Sequence, residues 1–149
     1  MTKLPTTRIL LTTLFAALLV SQSTAYDLPK CVADIKNSVE DVYHILDDFL
    51  HKEVEKTIPL AFNLVEQVGD AALYYCKGAT IEQIKQYVTQ VEAQNIAMCV
   101  RKVLTVLFDA KMIVEDVKGG QIVKAIQEGS VLLKDAGFVK PACIKIIDP

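Results

Sequence analysis

The only histidines of the chain stand in the run His44-x-x-Asp47-Asp48-x-x-His51, with Glu40, Asp41 and Glu55 within a turn. On a helix, side chains three or four residues apart share a face, so two ligands for a metal ion could meet there. The histidines themselves are two turns apart, about 10 Å by helix rise, too far to hold one ion jointly. The run also lies opposite the apolar positions Val42, Leu46 and Phe49. It reads as a solvated face, and neither a metal nor a cofactor is expected. Ser130 follows Gly129, but Gly-x-Ser-x-Gly is absent and neither histidine marks a paired base. Gly119-Gly120 lacks the Gly-Lys-Ser/Thr ending of a phosphate loop and reads as a helix stop. Tyr74-Tyr75 adjoin Cys76 and either pack over a disulfide or line the mouth of a pocket. No catalytic residue is assigned, and the expectation is that the chain is not an enzyme.

The remaining chemistry belongs to Cys31, Cys76, Cys99 and Cys143, all in the part of the chain after residue 25. No CxxC or CxxH pattern suggests zinc. An even number of cysteines in an exported chain reads as two disulfides.

Export is indicated by residues 1–25. Lys3 and Arg8 form a positive end, Ile9 to Val20 is apolar except for Thr12 and Thr13, and Ser23-Thr24-Ala25 fits the small-x-small cleavage rule of a secretory signal. The apolar run is short for a membrane span, so cleavage is expected to leave residues 26–149 as one soluble, secreted domain without a stable membrane span. Asn37, Asn63 and Asn95 are not in N-x-Ser/Thr sequons. The formal net charge of −2 becomes more negative once Lys3 and Arg8 leave with the leader. That balance argues against nucleic acid, whose binding needs a basic patch.

The elements that carry these residues are helices. Val32, Ile35, Val39, Val42, Leu46 and Phe49 alternate steps of three and four, predicting a helix over about 32–54 with one continuous apolar stripe. Pro59 breaks the pattern, and Thr57 is placed to cap a second helix to about Tyr75, with Ala61, Leu64, Val65, Val68, Ala72 and Tyr75 inward. Thr80 to Gln83 has capping-box spacing and opens a third helix with Ile81, Ile84, Val88 and Val91 inward. Asn95 could cap a fourth helix, or the third and fourth could form one bent rod. The stretch 96–117 is the most apolar and should be central in a bundle. Its stripe is Val100, Val103, Leu107, Ala110, Val114 and Val117, flanked by Leu104, Val106, Phe108 and Ile113. A fifth helix is predicted over 122–136, with Ile122, Ala125, Ile126, Gly129, Leu132, Leu133 and Ala136 inward. The tail from Phe138 through Pro141 reads as extended. The expected fold is an all-α, disulfide-stapled bundle of about five helices.

The cysteine spacing repeats: Cys31 to Cys76 is 45 residues and Cys99 to Cys143 is 44. Aligned on Cys31 and Cys99, Val32 meets Val100, Asp41 meets Asp109, Ile45 meets Ile113, and Asp48 meets Asp116. Farther on, Lys56 meets Lys124, Ile58 meets Ile126, Leu64 meets Leu132, and Gly69 meets Gly137. Two tandem helical hairpins, 31–76 and 99–143, joined by a helix over 81–94, would give this pattern. In a hairpin the first and last residues return to one end, which favours Cys31–Cys76 and Cys99–Cys143 among the three pairings. A straight first helix about 34 Å long would need a kink or overhang for the sulfurs to meet. The opening Cys31-Val32-Ala33-Asp34-Ile35 resembles that of small secreted ciliate proteins built from Cys-closed helical hairpins. The second copy, Cys99-Val100-Arg101-Lys102-Val103, lacks the acid, and the resemblance implies no activity.

The expected role is structural or protein-interacting. The alternative is a carrier whose interhelical cavity, lined by Leu104, Leu107, Phe108 and Tyr75, takes a lipid or other small apolar ligand. A homodimer that buries surplus apolar surface would also account for the fourth helix. Opening of the hairpins on lipid is disfavoured by the acidity and the lack of a basic amphipathic face.

Overall fold

The structure, a computed structural model, describes residues 26–49 and 56–147. The leader and its cleavage position lie outside the described residues, as do His51, Val54 and Glu55. Among the described residues the chain is all-α, with six helices and no strand.

Helix α1 spans Leu28–Phe49 and buries the predicted stripe. It begins earlier than its periodicity suggested, because Pro29 fits a first turn, where no backbone donor is missed. Helix α2 starts at Thr57–Leu64, widens into a π turn over Val65–Gly69, resumes over Asp70–Leu73 and tightens into a 3₁₀ turn at Tyr74–Cys76. Thr57 is not its cap. It sits fully buried in the first turn, with Lys56 at the cap position.

Helix α3, Ile81–Val91, has the full capping box: the Gln83 N–H donates to Thr80 Oγ1 (3.2 Å) and the Thr80 N–H donates to Gln83 Oε1 (3.0 Å). Helix α4, Gln94–Lys118, is separate from α3. The break is two extended residues, Glu92 and Ala93, rather than Asn95, and Ala93 offers no side-chain cap. Lys36 of α1 holds this corner through Glu92 at 2.8 Å. Val91, expected inward, is exposed at the end of α3 for the same reason: the chain turns away there.

Helix α4 touches the other five helices and buries Ala97, Val100, Val103, Leu104, Leu107 and Ala110, among others. Gly120, at φ +80°, provides the left-handed turn that ends it. Helix α5 covers Ile122–Ala136, as predicted, but its buried positions are Ala125, Gly129, Leu132 and Ala136. Ile122 and Ile126 point outward. The small residues face in because α5 meets α2 closely there. A β-carbon at position 129 would collide with the Thr57 hydroxyl.

The tail is not extended: α6 spans Val139–Ile147. Pro141 lies in its first turn, where proline costs no helical hydrogen bond. This sixth helix carries Cys143 to Cys99, with Cα atoms 4.7 Å apart, and Cys31 and Cys76 pair at 4.9 Å. Both disulfides therefore follow the hairpin pairing. The end at the first disulfide is further tied by the Asp27 N–H donating to the Tyr75 carbonyl at 3.1 Å.

Candidate functional site

The outer face of α4 gathers the chemistry of the molecule. Met98, Arg101, Lys102, Thr105, Asp109, Met112 and Asp116 recur at helical spacing along it. Helix α3 borders its first half and α5 its second; Lys102, Thr105, Asp109 and Asp116 are half-buried there and Arg101 is exposed. Charge is segregated along it, basic first and then acidic.

The basic half forms a cleft of about 290 Å³ whose walls are Lys85 from α3 and Met98, Arg101, Lys102 and Thr105 from α4. A second cleft of about 240 Å³ shares Lys85 and Arg101 and is lined along α3 by Glu82, Gln86, Thr89 and Gln90. Lys102 also lies over the Phe138 ring, 5.1 Å from its centroid.

The acidic half consists of two carboxyl pairs across the α4–α5 hairpin. Asp109 meets Asp135, and two turns along, Asp116 meets Glu128. Burial, then the hydrogen bond and charge of Asp135, push the Asp109 carboxyl up to about 8, against the pull of Lys85. Burial and the Asp116 carboxyl push Glu128 up to about 7, against Lys124. Asp109 Oδ2 and both Glu128 carboxyl oxygens are buried without a hydrogen-bond partner among the described residues. A shared proton in each pair resolves that geometry, because a protonated carboxyl donates where a carboxylate only accepts. In the alignment that matches the cysteines, Leu60 stands where Glu128 does and Gln67 where Asp135 does. The carboxyl pairs are thus a feature of the second hairpin alone.

The residues singled out from sequence are placed differently. Leu104 and Leu107 are fully buried in the core, while Phe108 and Tyr75 are half-buried at its margin. None of these four lines the clefts above or the apolar cleft of about 270 Å³ between α1, α4 and α6, whose walls include Val39, Ile96, Val100, Ile146 and Ile147. Tyr75 instead takes the Lys30 ammonium on its ring face, 4.4 Å from the centroid. His44 is exposed and pairs loosely with Glu40 at 3.7 Å. Among the described residues no three His, Cys, Asp or Glu side chains gather as a metal site.

Sequence reasoning missed Lys85, Arg101, Asp109 and Asp135 as a group because each cluster spans two helices. The signal was present for the acids: around the Gly119-Gly120 turn an antiparallel register that faces 116 with 128 also faces 109 with 135. Comparison of the chain with family models, with curated proteins and with solved structures finds no match.

Proposed function

We propose that this is an exported, non-catalytic binding protein, cut after Ala25 and built from two tandem disulfide-closed hairpins. One observation carries the reading: the interior is filled while the polar chemistry lies outside. Leu104, Leu107, Ile113 and Leu132 are fully buried, and the charged clefts open on the outer face of α4. Such a body recognises partners by its surface.

Two disulfides favour an oxidising compartment, which agrees with the leader. No helix of the described residues is long and apolar enough to cross a membrane. Duplication is supported by the crossing of α2 and α5. Thr57 and Ala61 on one correspond in the alignment to Ala125 and Gly129 on the other, and all four are buried. The one extra residue of the first hairpin falls between Gly69, still in register with Gly137, and Cys76.

A second reading, a carrier of a small apolar ligand, is favoured by the cleft between α1, α4 and α6. Native mass spectrometry of protein exported by its own leader separates the two. Surface binding predicts the bare oxidised chain. A co-purifying apolar guest would overturn it in favour of the carrier.

A further inference from the structure

Four other lysines meet a carboxylate or a ring. Lys36 reaches Glu92 at 2.8 Å, Lys140 reaches Asp47 at 3.1 Å and Lys124 reaches Asp116 at 3.9 Å, and Lys30 covers Tyr75. Among the described residues Lys85 and Arg101 make no such contact, and Lys102 has only the Phe138 ring. The three converge on one cleft with no acid in its walls and form no ion pair among the described residues. This happens in a chain whose formal net charge is −2. Three like charges held together repel one another, and a bound anion relieves that repulsion.

We propose that the cleft between α3 and α4 binds a phosphate or sulfate ester, with Arg101 and Lys85 holding its oxyanion and Lys102 closing one side. A planar guanidinium can donate two parallel hydrogen bonds to a tetrahedral oxyanion, and an ammonium from the facing helix adds a point charge. The cleft has room, at about 290 Å³, for the anion and part of the group it esterifies. Met98, exposed in the cleft wall, offers that group apolar contact. The adjoining cleft continues past Gln86 and Gln90, whose amides donate hydrogen bonds to further ester oxygens. Asp109, which interacts with Lys85, lies outside the walls of both clefts. Glu82, one turn before Lys85 in the wall of the second cleft, bounds the anionic part on that side.

This inference deepens the reading of a binding protein by naming its ligand chemistry. It is tested by calorimetric titration of the exported, oxidised chain with pyrophosphate at low ionic strength. In parallel, co-sedimentation is measured with phosphatidylglycerol and with phosphatidylcholine vesicles. Saturable one-to-one binding is expected, weakening as salt rises and falling at least tenfold in the Lys85→Gln/Arg101→Gln double variant. Lys77→Gln, exposed and outside the cleft, should leave it within twofold. Binding to phosphatidylglycerol but not pyrophosphate, lost in the double variant, supports the same cleft with a lipid headgroup as the source. No saturable binding to either, or equal binding by the double variant with an unchanged circular-dichroism spectrum, overturns it. Failure of export would show as an uncleaved leader on cell-retained chain, and that chain, once oxidised, is titrated in the same way, so the two readings fail separately.

Discussion

Asp109 of α4 and Asp135 of α5 face each other across the second hairpin, two acids placed where one of them keeps its proton. Asp116 and Glu128 repeat the arrangement nearer the turn.

These pairs make the fold acid-tolerant rather than acid-labile. The carboxyls of Asp109 and Glu128 are raised from ordinary values of 3.8 and 4.5 to about 8 and about 7. Between those limits the folded chain binds more protons than the unfolded one, so stability falls as pH rises through that window. Asp135, Glu128 and Lys85 face Asp109, while Asp116 and Lys124 face Glu128. Thermal melts should give a higher midpoint at pH 5.5 than at pH 8.5. Asp135→Asn, which supplies a permanent donor to Asp109, should raise the midpoint at pH 8.5 and flatten the profile. A midpoint that climbs with pH over this range would contradict the pairing.

Gly129 is the second point of strain sensitivity. In an open helix, glycine to alanine gains about 1 kcal/mol. Here the new methyl meets Thr57, and overpacking of this kind costs about 1–3 kcal/mol. Gly129→Ala should therefore lower the urea midpoint. Adding Thr57→Ala should cost less than the sum of the two single changes. A stabilised Gly129→Ala would show that α2 and α5 do not approach as described.

The two disulfides close loops of almost equal length, 45 and 44 residues. In the chain-entropy model each contributes roughly 4 kcal/mol. Cys31→Ser/Cys76→Ser and Cys99→Ser/Cys143→Ser should lower stability by similar amounts, measured by chemical denaturation. A difference of several-fold between them would mean that one hairpin is held chiefly by packing.

Much of this fold was legible in sequence because local signals and tertiary demands agree. The Thr80–Gln83 capping box, the α1 stripe and the limits of α5 are such cases. Reading failed where packing overrode the local signal. Ile122 and Ile126 look inward by type, yet the close α2–α5 approach requires Ala125 and Gly129 there. Pro141 looks like a breaker but begins a helix. Nothing in Glu92-Ala93 marks a helix break, and that corner is fixed from outside by Lys36. The site was the least legible part. Lys85 and Arg101 lie on different helices, and their neighbourhood exists only after α3 has folded back on α4.

The central claim, an exported chain whose hairpins are each closed on themselves, is tested most directly by non-reducing peptide mapping of the protein recovered outside a secreting cell. The account predicts an N-terminus at Tyr26 and two cross-linked peptides, one joining Cys31 to Cys76 and one joining Cys99 to Cys143. A mature chain that begins at Met1, free thiols, or a bridge between the hairpins such as Cys31 to Cys143 would contradict it.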